Sequence, residues 1–277
     1  MSATENLRVT DFSVSKEVFE LRFNESLQAL ETFPRPADID KYYESDDYIS
    51  HTDSNTGLVN KIYQSVKQYM LSKKVRLLFQ YNRNLKTVLD VGAGTAAFVK
   101  LLQTVNVQAK GVEPSEIARK HAADKGVKLF EKIEQVSGEQ FDAITMWHVL
   151  EHIPDPKEHL RTCYELLNKD GLLVIAVPNY KSFDAKYYGA FWAAYDVPRH
   201  LWHFNQVGMQ QILRESGFEV RAIKPMIFDA FYIALLSEKY KNGRSSIFKA
   251  FWIGLRSNCK ALGNKEYSSL IYMAQKS

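Results

Sequence analysis

The chain has 277 residues, of which 45% are hydrophobic and 25% charged, and its formal net charge is +4. These values exclude a disordered or fibrous chain, and the length fits one main domain with an elaboration. The charge is too mild to point to nucleic acid, and two cysteines, Cys163 and Cys259, cannot make a disulfide framework.

The opening MSATENLRVTD has no basic-then-apolar leader. The apolar stretches Leu172–Val177 and Phe228–Leu236 fall far short of the ~18 residues a membrane span needs. A reduced, cytoplasmic protein is predicted. Residues 1–40 are mixed in pattern, with a stop at Pro34-Arg35-Pro36, and 41–52 are acidic, tyrosine-rich and loop-like. From Leu58 to about Phe79 the apolar positions Leu58, Ile62, Val66, Met70 and Leu77 keep a helical period. Then short runs rich in β-branched residues alternate with helical patterns: 87–91, 107–113, 127–130, 141–147, 171–177 and 218–223. Ser115, Asp155 (followed by Pro156) and Asn205 read as helix caps, and Gly217 as a helix stop. Residues 229–263 are helical and basic, and the run SSLIYMAQK, ending at Lys276, reads as a last strand. Strands alternating with helices predict an α/β, Rossmann-like, doubly wound sheet of seven mostly parallel strands. A helical N-terminal extension and a helical insertion before the last strand complete the predicted fold. The expected division is an extension or lid over 1–56, a main domain over 57–228 with 264–277, and an insertion over 229–263.

The strongest local signal is Val88-Leu-Asp-Val-Gly-Ala-Gly-Thr-Ala96, a buried strand running into a glycine pair and then a helix. Glycines there permit a tight turn and let a ligand reach the backbone N–H groups at a helix start. Glu113 closes the next strand, where a carboxylate can take both hydroxyls of a ribose. The pattern Gly92-x-Gly94-x-x-Ala97 also satisfies a loose dinucleotide fingerprint. Asp90, two residues before the first glycine, suits a cationic amino-acid portion better than a pyrophosphate.

LDVGAGTAAF, GVEPS, FDAITMWHVLEHIPDP and GLLVIAVPN resemble the successive motifs of class I S-adenosylmethionine-dependent methyltransferases, in the branch of the ubiquinone-biosynthesis O-methyltransferases. The resemblance spans roughly residues 85–225 and the final strand, and Ala96 departs from the family's third loop glycine. It implies that Asp90, Gly92 and Gly94 line the methionine end of S-adenosylmethionine. It also implies that Glu113 holds the ribose, Pro114 borders the adenine, and Met146 and Trp147 wall the cofactor.

His148-Val-Leu-Glu151-His152 matches the inverted zinc-protease signature, yet it follows a strand of a parallel sheet, which is the wrong context. Relatives of the ubiquinone type are reported to hold a divalent ion with E-x-x-E-H at this place. His148 replaces the first glutamate, so no metal is assigned. The run Asp196-Val-Pro-Arg-His200 with His203 resembles a substrate-mouth motif, and an imidazole there can take an acceptor's proton. His200 is the first candidate base and His152 the second; bracing of the loop is the alternative for both. Tyr42, Tyr43, Tyr48 and His51 read as a lid or as surface packing.

The function expected is transfer of a methyl group to a small-molecule acceptor, at oxygen. An NAD(P)-binding oxidoreductase and a catalytically silent cofactor-binding module are the alternatives. No nucleic-acid partner is expected. The aromatic, basic stretch Ile247–Arg256 leaves peripheral membrane contact and a homodimer open.

Overall fold

The computed structural model describes residues 7–42 and 58–276. The chain opens with three antiparallel strands, β1 (Leu7–Thr10), β2 (Val18–Asn24) and β3 (Ala29–Phe33). Period-two burial drives them: Phe19 and Leu21 are buried while Glu20 and Arg22 lie toward solvent. Their turns are closed by side chains, Asp11 accepting from the N–H groups of Ser13, Val14 and Ser15, and Asn24 from those of Ser26 and Leu27. Over residues 7–33 these strands stand where a helical N-terminal extension was expected, and α1 (Leu58–Tyr81) is the first long helix among the described residues.

The main sheet follows. It contains β4 (Thr87–Val91), β5 (Gln108–Val112), β6 (Phe141–Trp147) and β7 (Leu167–Pro178). Helices α2 (Ala97–Thr104), α3 (Glu116–Asp124) and α4 (Pro156–Leu166) connect them. After β7 come a short helix α5 (Phe183–Tyr188) and a two-residue strand β8 (Trp202–His203). Helix α6 (Gln206–Glu215) then leads to β9 (Phe218–Pro225), the helix pair α7 (Asp229–Asn242) and α8 (Ile247–Asn264), and β10 (Ser269–Lys276). The cap residues act as their types predict. Ser115 accepts from the Ala118 N–H, Asp155 from Glu158 and Asn205 from Gly208.

The strand order is β5-β4-β6-β7-β10-β9, with the first four parallel and β10 antiparallel to both neighbours. Six strands form this sheet. The run 127–130 contributes a single parallel bridge, Val112 to Phe130, in place of a seventh strand. Alternate residues feed opposite faces: Leu89, Ile144 and Ile175 enter one core, Val88, Ala143 and Val174 the other. This two-sided burial explains the near-continuous apolar runs of the sequence.

The smaller sheet has the order β1-β2-β3-β8, so β8 completes the N-terminal meander through Leu30–His203 and Glu31–Trp202 pairing. A third core joins Phe19, Leu21 and Tyr42 to Trp192, Tyr195, Ile233 and Ile253. Tyr42 is therefore a buried packing residue, its hydroxyl donating to Glu17 at 2.5 Å. Tyr43, Tyr48 and His51 lie outside the described residues.

Candidate cofactor and active site

The glycine loop leaves the carboxyl end of β4 and enters α2 through three left-handed residues, Gly92 (φ 71°), Gly94 (φ 52°) and Ala96 (φ 61°). At Gly92 the requirement is double, because a Cβ would stand 2.3 Å from Val149 Cγ2. At Gly94 a Cβ would meet nothing within 4 Å, so the loop presents bare backbone to open space there. Ala96 carries the left-handed conformation without being glycine, which accounts for how the third loop position tolerates the change.

Glu113 ties this loop to the end of β5. One carboxylate oxygen accepts the Gly94 N–H at 2.8 Å and the other the Ser115 N–H at 2.9 Å. A carboxylate has about four lone-pair positions, so two remain for ligand hydroxyls. Pro114 is exposed beside it, its carbonyl taking the Arg119 guanidinium at 2.6 Å.

Asp90 is buried, and its register partner on β6 is Thr145, whose hydroxyl donates to it at 2.5 Å. Burial pushes its pKa up to about 6; the Thr145 bond and the Lys74 ammonium pull it down, and the Glu113 charge adds to the rise. Lys74, from α1, rests 4.2 Å from the centre of the Trp147 ring, and burial holds its own pKa below the usual lysine value despite Asp90 and Asp229. Trp147 also stands edge-on to Phe98, and its indole N–H is buried with no protein acceptor. Met146 points the other way, fully buried in the core, so Trp147 is the member of that pair with surface to offer.

Beyond β6 the chain turns through His148, itself left-handed (φ 59°). Its ring bridges Glu151 (Nδ1 to Oε1, 3.3 Å) and Asp229 (Nε2 to Oδ2, 3.1 Å). Burial alone would lower its pKa, but the two carboxylates overcome that and raise it to about 10. Both ring nitrogens of His148 are thus engaged by carboxylates, and it stands outside the grouping of Glu151, His152 and His200.

Glu151, His152 and His200 do converge. One ligand atom from each lies within 4.8 Å of the others, and Glu151 Oε2 is buried with no hydrogen-bond partner. The His152 and His200 rings meet edge to face at 4.6 Å. His152 Nδ1 donates to the Arg199 carbonyl and His200 Nδ1 to the Ala194 carbonyl, each at 2.9 Å. Because a carbonyl only accepts, Nδ1 carries a proton in both rings, and Nε2 is the acceptor in neutral His200. Burial first, and then the neighbouring His152, lower the pKa of His200 to about 4, so it is neutral at pH 7.

His203 takes no part in this cluster. Its Nε2 meets the Thr32 hydroxyl at 2.9 Å, Thr32 donates on to the His200 carbonyl, and burial keeps the ring neutral. Arg199 is the anchor of the segment: its buried guanidinium reaches Asp196, Asp11 and the Tyr42 carbonyl. The sequence reading missed Lys74, Thr145 and Asp229, and it placed Arg199 only within the run Asp196–His200 without a role. Thr145 left a trace of its own, a hydroxyl in the middle of the apolar run FDAITMW.

A family described as a methyltransferase domain matches residues 63–223. The ubiquinone biosynthesis O-methyltransferase of Xanthomonas axonopodis pv. citri is 27% identical over 158 residues, covering 51% of this chain and 66% of that enzyme. The chain spans about half to two thirds of the length of the first curated relatives it matches. Among solved structures, the magnesium protoporphyrin IX methyltransferase of Synechocystis PCC 6803 with bound SAH aligns with a TM-score of 0.56 at 16% identity, over 85% of this chain and 97% of that one. The cyclase SpnF aligns with a TM-score of 0.52 at 18% identity, over 74% of this chain and 80% of that one. At these identities the structural likeness shows the fold alone. No described helix is long and apolar enough to cross a membrane.

Proposed function

The chain belongs to the methyltransferase-domain family, and from that premise we propose that it transfers a methyl group from S-adenosylmethionine to the oxygen of a small-molecule acceptor. The observation that carries the reading is Asp90, a buried carboxylate beside an open glycine loop that makes no ion pair among the described residues. An ammonium or sulfonium group would meet its charge, whereas a pyrophosphate would be repelled by it. The family match and the curated O-methyltransferase relatives support the same reading and set the dinucleotide alternative aside.

The bound cofactor supplies an electrophilic methyl group on a sulfonium. The chain's residues position it and its acceptor. Asp90 meets the cationic amino-acid end beside the open backbone at Gly94, Glu113 takes the ribose hydroxyls, Pro114 borders the base and Trp147 walls the mouth. Such a displacement is governed by positioning, so small misalignments cost much rate. His200 is neutral with Nε2 as acceptor and takes the acceptor's proton; with a pKa of about 4 it is a weak base, and it serves as a hydrogen-bond acceptor until transfer makes the hydroxyl acidic. His152 is the second candidate.

A second reading of the same cluster is favoured by the unpartnered Glu151 Oε2. With His152 and His200 it would hold a divalent cation, which would lower the pKa of a bound hydroxyl.

Incubation with methyl-labelled S-adenosylmethionine and a panel of phenols, carboxylates and amines tests the proposal. Label on oxygen is the expected result; label on nitrogen alone contradicts the choice of acceptor atom. In the base reading His200→Ala lowers kcat at least about tenfold with unchanged affinity for S-adenosylhomocysteine, and an unaltered rate removes that role.

A further inference from the structure

Helix α8 buries one stripe and leaves another bare. Ala250, Ile253, Gly254, Ser257 and Ala261 face the protein at helical spacing, and Gly254 lies so close to α7 that a Cβ would stand 2.7 Å from Phe231 Cδ1. The other stripe begins the helix: Ile247, Phe248, Phe251 and Trp252 are 73, 85, 54 and 66% exposed. Single exposed apolar residues are ordinary, but four large ones within six positions make a patch of the kind that marks an interaction surface. Phe251 stacks on Phe231 at 5.5 Å, and the apolar surface continues along α7 with Phe228 and Tyr232. Phe228 meets Tyr69 of α1 edge-on at 6.2 Å, and the next residue, Asp229, is the one that holds His148 at the mouth of the site.

The exposed charge around this patch is predominantly basic. From Lys239 to the end the sequence has eight basic residues and one acid, Glu266. Lys249 is neutralised by Glu238 at 3.2 Å, while Lys241 on α7, Arg244 in the turn between the helices, and Arg256 and Lys260 on α8 are exposed.

We propose that α8 docks the protein on the surface of an anionic phospholipid bilayer. Phe248 and Trp252 enter the interfacial layer, and the surrounding basic side chains meet the headgroups. Aromatic and aliphatic anchors flanked by lysine and arginine suit such a surface on both counts. A second copy of the chain suits it on one count only, since a two-fold contact through the patch would set basic helices against basic helices. The docking is independent of what the site transfers, and it brings the apolar path beside Phe228 and Asp229 to the bilayer.

Co-sedimentation of the full chain with phosphatidylcholine vesicles, with and without about 30% phosphatidylglycerol, tests this. Binding is expected only with the anionic lipid and is expected to weaken as salt is raised. The double variant Phe248→Ser/Trp252→Ser should lose at least about tenfold in affinity, and Arg244→Glu several-fold. Val207→Ser, at an exposed apolar position on α6, should bind like the parent. Thermal unfolding midpoints within about 2 °C of the parent establish that the variants are folded. Three results overturn the proposal. They are absence of binding to anionic vesicles, equal binding by the folded double variant, and a concentration-dependent dimer that the double variant abolishes.

Discussion

The two halves of the candidate site are built by different means. The glycine-loop half is assembled from contacts close in the sheet: Asp90 and Thr145 are register partners on adjacent strands, and Glu113 grips the loop 19 residues before it. The histidine half is held from a distance, by Thr32 under His200 and by Arg199 reaching to Asp11 and Tyr42. The first half can keep its geometry while much of the chain varies. The second depends on the N-terminal meander being in place, so the histidine cluster is coupled to the part of the fold outside the main sheet.

Breaking the long-range anchor should have the largest effect. Arg199→Met leaves the buried Asp11 and the half-buried Asp196 without their cation, a loss of about 3–5 kcal/mol. Urea denaturation should show that loss, and it should come with detachment of the N-terminal sheet in hydrogen exchange while the glycine loop stays protected. Uniform loss of protection would show that the two halves are one cooperative unit. Gly92→Ala should come next. Its Cβ must displace Val149 and adopt a left-handed backbone, which together cost about 2–4 kcal/mol and should abolish cofactor binding in calorimetry. Thr145→Val is the subtler probe. Removing its donor leaves the Asp90 carboxylate with less support, so its pKa rises further and cofactor affinity should fall several-fold at pH 6–7 with a stability change of about 1 kcal/mol. Equal affinity would mean that Thr145 only braces the sheet.

The same division explains what the sequence made legible. The glycine loop, Glu113 and the caps at Ser115, Asp155 and Asn205 are local patterns in which residue type and spacing contain the geometry, and all adopt the expected conformations. The N-terminal strands were hidden because VFELRFN is short and its neighbours are turns closed by Asp11 and Asn24, which leave no helix or strand period of their own. Lys74, Arg199 and Asp229 were illegible for another reason. Each is a charged residue in a helix or loop, indistinguishable in sequence from a solvated one. Lys74 and Asp229 take their roles from partners 16 or more positions away, and Arg199 adds to its neighbour Asp196 the distant Asp11 and Tyr42. His148 shows the converse. Its motif suggested a ligand, and the fold supplied Asp229 from the insertion and turned it into a cation.

The central claim is that Asp90 is kept buried and ionised to receive a cationic ligand. Its pKa in the fold, about 6, lies above the ordinary 3.8, so the folded state binds the proton more tightly between those values. Its contribution to stability is therefore most favourable below about pH 4 and is lost as the pH rises through 6. Asp90→Asn removes that cost. The measurement that tests the claim most directly is the pair of denaturation and S-adenosylmethionine titration curves for the parent and Asp90→Asn at pH 4.5 to 8. The predicted result is a variant more stable than the parent at pH 7, by up to about 3 kcal/mol, with the gap closing in acid and cofactor binding lost throughout. A variant that binds S-adenosylmethionine as tightly as the parent would contradict it.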